Sequence, residues 1–356
     1  MLEMRKFLPK VALAFLFLSF FSLVFAAVTR LVWQSEGIIF SDSTINNVEV
    51  IELEDGRYRM YFHQGPTQMK SAISTDGKTF TLESGTRLTG TMPSLVKLPN
   101  GTWRMYFKSG TDVFKSATST DGLTWKVEAG ERLRSGGQND PDDIAHPTVV
   151  ALPEGGYRMY YDGETRKTEQ EFTWRVLSAT STDGLNFVKD EGIRLDVNVE
   201  PLLSGLSFSA HALYEGGVYY LYFAAERSEG EPSGIYLATS ENGLTFTVQQ
   251  EPLLAQVVTP APGEIPNYPQ DPFILKLASG DRMFYWTTDG LFSALQVEQD
   301  VPQDLPWWQE IWQKFLTFLR ELPGVDLGNL ELFIVPGILF AATAVVIYLF
   351  VKFSRR

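Results

Sequence analysis

Leu152-Pro153-Glu154-Gly155-Gly156-Tyr157-Arg158-Met159-Tyr160-Tyr161, followed by Ser181-Thr182-Asp183-Gly184-Leu185-Asn186-Phe187, decides the fold. Gly-Gly and Asp-Gly supply the positive φ angles that tight hairpins need. Aromatic and β-branched runs flank both turns, as in strands. Two hairpins make four strands, A to D. The same pattern occurs at Asp55-Gly56, Arg59-Met60-Tyr61-Phe62 and Ser74-Thr75-Asp76-Gly77. It returns at Asn100-Gly101, Arg104-Met105-Tyr106-Phe107 and Ser119-Thr120-Asp121-Gly122. A fourth copy has Gly216-Gly217, Tyr220-Leu221-Tyr222-Phe223 and Ser240-Glu241-Asn242-Gly243. The fifth is shorter, with Arg282-Met283-Phe284-Tyr285 and Thr287-Thr288-Asp289-Gly290. A four-stranded unit repeated five times predicts an all-β, five-bladed β-propeller.

The fifth copy lacks a strand D after Val297. Val32-Trp33-Gln34-Ser35-Glu36-Gly37 matches Trp125–Gly130 and Phe187–Gly192, so residues 30–37 are predicted to complete blade five and close the ring. Closure removes an open sheet edge. Arg59, Arg104, Arg158 and Arg282, and the turn aspartates 76, 121 and 183, recur at fixed places and read as scaffold.

The chain has 356 residues, no cysteine and a formal net charge of −13. A disulfide framework is excluded, and the acidic surface repels phosphate backbones, so nucleic acid is not an expected partner. Arg5, Lys6 and Lys10 precede an apolar run closed by Ala26-Ala27, the order of a secretory signal over residues 1–27. Retention of this run as an anchor is the alternative. Leu332 to Val351 carries no charge and is followed by Lys352, Arg355 and Arg356. This predicts a transmembrane helix within 330–351, a cytoplasmic tail 352–356 and an extracytoplasmic propeller over 28–300. Between them, 301–329 contains Trp308, Ile311, Trp312, Phe315, Leu316 and Leu319 on one helical face. That juxtamembrane segment lies on the lipid bilayer or against the propeller.

Strand A of a propeller is innermost, so the starts of A and the ends of B converge on one axial face, the expected pocket. Informative residues are those that differ between blades there. Strand A starts with Asn47, Met92, His146 and Asp271 in blades one, two, three and five, and Ser207, Phe208 or His211 is expected in blade four. Strand B ends with His63, Lys108, Asp162, Ala224 and Trp286, followed by Glu164 in blade three and Glu226-Arg227 in blade four. An acidic loop with Asp142 and Asp143 precedes His146. Paired carboxylates could cleave a glycosidic bond, about 6.5–9.5 Å apart for inversion. Histidine with aspartate could hold a metal such as calcium, although no cofactor is required. Alternatively the set is a sugar-binding floor without catalysis.

The pattern Gly-x-Tyr-Arg-Met-Tyr-Tyr … Ser-x-Asp-Gly-x-x-Trp/Phe, with His146-Pro147 and Asp271-Pro272, resembles the five-bladed propellers of the arabinanase, levansucrase and invertase superfamily, including glycoside hydrolase family 43. The resemblance covers roughly residues 30–298 and implies carbohydrate in a central funnel. The family's enzymes use aspartates on blades one and two and an acid glutamate on blade three. Here blade one offers Asn47 and blade two Met92, and an amide cannot act as a base. Glu164 is the match on blade three. Hydrolysis would need another pair, Asp143 or Asp271 with Glu164 or Glu226. The remaining funnel residues, Asn47, His63, Lys108, His146, Asp162, His211, Arg227 and Trp286, are assigned to binding. The expectation is a membrane-anchored, extracytoplasmic glycosidase-like propeller that binds or hydrolyses glycans. The alternative is a non-catalytic scaffold that recruits a protein partner of unknown identity.

Overall fold

A computed structural model describes residues 28–168, 171–196, 208–225, 233–255 and 268–301. The predicted signal, juxtamembrane helix, transmembrane helix and tail lie outside the described residues, apart from strand residue 301. Glu226 and Arg227 also lie outside them. Among the described residues no helix is long and apolar enough to cross a membrane.

Five antiparallel sheets are arranged as predicted. Blade one has strand A at Ile45–Glu52, B at Tyr58–Gln64, C at Gln68–Ser74 and D at Thr81–Leu82. In blade two A is Thr91–Lys97 and B is Trp103–Lys108. In blade three A is Asp143–Ala151 and B is Tyr157–Arg166. In blade four A is His211–Glu215 and B is Val218–Ala225. Blade five has A at Gln270–Leu275, B at Arg282–Thr287, C at Gly290–Val301 and, as strand D, the N-terminal Val28–Phe40. The first strand therefore closes the ring with the last.

One expectation about blade five is corrected. Thr287-Thr288-Asp289-Gly290 forms the B–C turn, with Thr287 opposite Gly290, whereas its counterparts in blades one to four make C–D turns. Strand B ends so close to this tetrapeptide that no strand C fits between them. The chain turns at once, and the long following strand is C.

The C–D turns form by local bonding. In blade three Ser181 Oγ accepts the Gly184 N–H at 2.9 Å, and Asp183 Oδ1 accepts the Leu185 and Asn186 N–H groups at 2.8 and 2.9 Å. These donors hold the Asp183 carboxyl well below the usual range. Asn242 makes the same bonds without charge in blade four, to Leu244 and Thr245. The geometry requires an acceptor, not an anion.

The recurring arginines and tyrosines latch neighbouring blades at four of the five junctions. Arg59 donates to Asp121 O at 2.9 Å and the Tyr61 hydroxyl to Gly122 O at 2.7 Å. Arg104 and Tyr106 do the same to Asp183 O and Gly184 O, and Arg158 and Tyr160 to Asn242 O and Gly243 O. Arg282 reaches Asp76 O, joining blade five to blade one. The C–D turn is thus scaffold, as expected from its repetition. Between the blades lie Met60, Phe62, Tyr106, Phe114, Tyr160 and Phe284, all buried. Each such side chain contributes on the order of 2–3 kcal/mol by leaving water.

Candidate functional site

Strand A breaks register at the same place in four blades: between Asn46 and Glu49, Thr91 and Ser94, Ala145 and Thr148, and Gln270 and Phe273. An extra residue bulges inward at each break. Bulges re-aim side chains and concentrate beside functional sites. The bulged residues are Asn47, Met92, His146 and Asp271, at φ of 48°, 55°, 48° and 50°. Blade four supplies Ser209 at φ 47°. Among the described residues these five are the non-glycines in the left-handed region. Each costs on the order of 1–2 kcal/mol in backbone strain. Asn, Asp and His tolerate that region best, and Met92 and Ser209 are the exceptions.

Ser209 corrects the expected blade-four position. Phe208 is fully buried in the core between blades, packed on Phe223, and His211 lies two residues deeper than the bulge. The expectation erred because blade four carries Glu215 where its neighbours carry the leucine used to count back.

The five bulged residues line one open funnel. Glu49, Thr148 and His211 form part of its deeper lining. Three residues at this deeper level tie blades together. Glu49 Oε1 accepts the Leu95 N–H at 3.1 Å, Ser94 Oγ the Val149 N–H at 3.0 Å, and Thr148 Oγ1 the Ala212 N–H at 2.9 Å. His211 continues the series but packs its ring on Phe273, 4.5 Å between centroids, and its Nε2 is buried without a partner. Burial pushes the His211 imidazole down to about 3 and the Glu49 carboxyl up to about 8, so both are neutral at pH 7. Glu49 and Ser209 were missed by sequence reasoning. An acid inside Val48-Glu49-Val50-Ile51, level with Ser94 and Thr148, was the available signal for Glu49.

Blade three contributes a built pair. His146 Nδ1 lies 3.1 Å from Asp162 Oδ2, and the same oxygen accepts the Ser209 N–H at 2.9 Å. Asp162 is fully buried. A carboxylate at Nδ1 fixes the tautomer with the proton there and leaves Nε2 as an acceptor. The His146 backbone N–H meets Met92 Sδ at 3.4 Å. His63 is pushed down by burial, an effect opposed by the Asp271 charge and reinforced by His146.

Among the described residues of the predicted catalytic set, two carboxylates are held by cations. Asp143 is held by Lys108 at 2.7 Å, and Glu164, nearly fully buried, is held through both oxygens by Arg166 at 2.8 and 3.0 Å. Neither lines the funnel, whereas Asp271 does. Trp286 pairs opposite Gln270, with its Nε1 donating to Ser43 O at 2.9 Å, and does not line the funnel. Asn47, His146 and His211 line the funnel as assigned. Among the described residues no three His, Cys, Asp or Glu side chains converge as a metal site.

No family model matches the chain, and no curated protein matches it. Solved structures do. A structure described as a complex of BT0996 with RGII aligns with TM-score 0.56 and 14% identity over 78% of this chain and 94% of the other. An endo-1,4-β-xylanase from Bacteroides thetaiotaomicron aligns at 0.54 and 14% over 74% and 97%. An endo-arabinase from the same organism aligns at 0.53 and 11% over 75% and 98%. At such low identity the likeness is one of fold: the chain has the five-bladed propeller architecture on which these glycoside hydrolases are built.

Proposed function

We propose that the axial funnel is a carbohydrate-binding site on a membrane-anchored, extracytoplasmic propeller. One observation carries this reading. Five blades each spend backbone strain to aim a different side chain, amide, thioether, imidazole, hydroxyl or carboxylate, into one concavity. Such a mixed set of donors and acceptors suits the hydroxyls of a sugar. The fold likeness to glycoside hydrolases, including a structure described as an RGII complex, supports it. Anchoring rests on the apolar runs at the two ends of the sequence.

The pairing of Asp143 with Lys108 and of Glu164 with Arg166 favours binding over hydrolysis by the acids first expected. A second reading comes from Glu49. A carboxyl pushed up to about 8 is a proton donor at neutral pH, and it lines the same funnel as Asp271. In that reading Glu49 protonates the leaving oxygen and Asp271 activates water.

A glycan array and an aryl-glycoside screen on the full chain test both. Array binding lost in Asp271→Asn but retained in Glu164→Gln supports the funnel assignment. Binding unchanged in Asp271→Asn refutes it. Aryl-glycoside turnover abolished by Glu49→Gln, with array binding intact, selects the hydrolase.

A further inference from the structure

Building on the carbohydrate reading, we infer that the funnel is selective for a cationic amino sugar, bound through its ammonium group at Asp271. The argument begins with charge. Asp143 has Lys108, Glu164 has Arg166, and Asp162 has His146 and the Ser209 N–H. Asp271 lines the funnel and makes no hydrogen bond or ion pair among the described residues. Among those residues no lysine or arginine lines the funnel.

The deeper lining adds no compensating charge. His211 is more than nine-tenths buried, and its Nε2 has no partner. His63, at the end of strand B in blade one, has its Nδ1 buried without a partner. Both imidazoles are pushed toward the neutral form, and the Glu49 carboxyl is neutral at pH 7. A carboxylate in a concavity whose described lining holds no lysine or arginine attracts a cation and repels a uronate.

The test compares the tetramer of glucosamine with the tetramer of N-acetylglucosamine, which share a skeleton and differ in charge. Binding to the full chain is measured by calorimetry at low and at moderate salt. Glucosamine tetramer is expected to bind about tenfold more tightly, the scale of one charge-assisted hydrogen bond. Asp271→Asn is expected to erase that preference. Asn47 holds the same conformation at the same place in blade one, so this variant keeps the fold. Glu54→Gln, at a site 88% exposed, is expected to leave the preference intact. Equal or tighter binding of the acetylated tetramer, or tight binding of a galacturonate tetramer, overturns the inference while the carbohydrate reading stands. A preference that survives in Asp271→Asn assigns it to general surface charge and also overturns it. Failure of every glycan on the array to bind removes both.

Discussion

The Arg282 guanidinium holds the Glu36 carboxylate at 2.6 Å, joining strand B of blade five to the strand contributed by the N-terminus. The same bond recurs inside single blades as Arg59 with Glu83 and Arg104 with Glu128, at 2.8 and 2.9 Å. Glu36 therefore does for the ring seam what Glu83 and Glu128 do within continuous segments. Both partners of the seam pair are largely buried, at 8% and 11% exposed. Removing one partner of such a pair leaves an uncompensated charge and costs about 3 kcal/mol or more. Glu36→Ala is expected to lower unfolding free energy in urea by that amount, close to the effect of Glu83→Ala. A Glu36→Ala protein as stable as the parent would mean that the N-terminal strand does not seal the ring.

Glu36 was identifiable from sequence because its segment repeats the Trp125–Gly130 pattern, and repetition was what made the rest of the propeller legible. Whatever every blade needs is written several times: the Asp-Gly turn, the arginine and the tyrosine that reach the next turn. The site is legible only in part, for the same reason. Asn47, Met92, His146 and Asp271 stand out because they differ at one aligned place. Ser209 was hidden by Glu215, which broke the alignment. Glu49 was hidden because its strand reads as plain apolar alternation until neighbouring blades are compared. Pairing was not legible at all. Nothing local to Glu164 says that Arg166, two positions along the same strand and on its face, closes around it.

Glu49 gives the protein a distinctive pH dependence. Its carboxyl is pushed up to about 8 by burial, from an ordinary value of 4.5. Between those values the folded state binds a proton that the unfolded chain has released. Stability on this account falls as pH rises from about 4.5 to about 8, then levels off. The upper bound is roughly 5 kcal/mol, from 1.36 kcal/mol for each unit. Glu49→Gln keeps an acceptor for the Leu95 N–H and removes the titration. Its stability relative to the parent is expected to rise between pH 5 and pH 9 in chemical denaturation. Parallel pH profiles would show that Glu49 reaches water.

Gly184, at a blade latch, is predicted to be far less replaceable than Gly101, at an A–B turn. Gly184 has φ 70°, and a Cβ there would lie 2.6 Å from Arg104 Nη1 and 2.7 Å from the Tyr106 hydroxyl. Gly101 has φ 84°, and a Cβ added there would meet nothing within 4 Å. Gly101→Ala meets only the left-handed penalty, about 1 kcal/mol. Gly184→Ala must also displace both groups that latch blade two to blade three, and should cost at least about 3 kcal/mol. Thermal unfolding of the two variants side by side measures the difference. Equal losses would mean that the latch is not an important source of stability.

The same reasoning about shared acceptors applies to Asp162. Its Oδ2 serves His146 Nδ1 and the Ser209 N–H, so one buried oxygen orients a funnel side chain and fixes the neighbouring bulge. Its Oδ1 is buried without a partner, so the carboxylate has no second anchor. Asp162→Ala leaves the Ser209 N–H unpaired and frees the imidazole to exchange tautomers. The expected loss is about 2–3 kcal/mol, from two hydrogen bonds to a charged group. Nitrogen-15 shifts of the His146 ring provide the specific readout, because a merely structural carboxylate would not set them. The parent is expected to show a protonated Nδ1 and an open Nε2, and Asp162→Ala a mixture. Asp162→Asn, which can still accept from the ring and the Ser209 N–H, should keep the parent tautomer at reduced stability. An unprotonated Nδ1 in the parent would show that Asp162 does not orient His146, and that the imidazole presents a donor rather than an acceptor to the funnel.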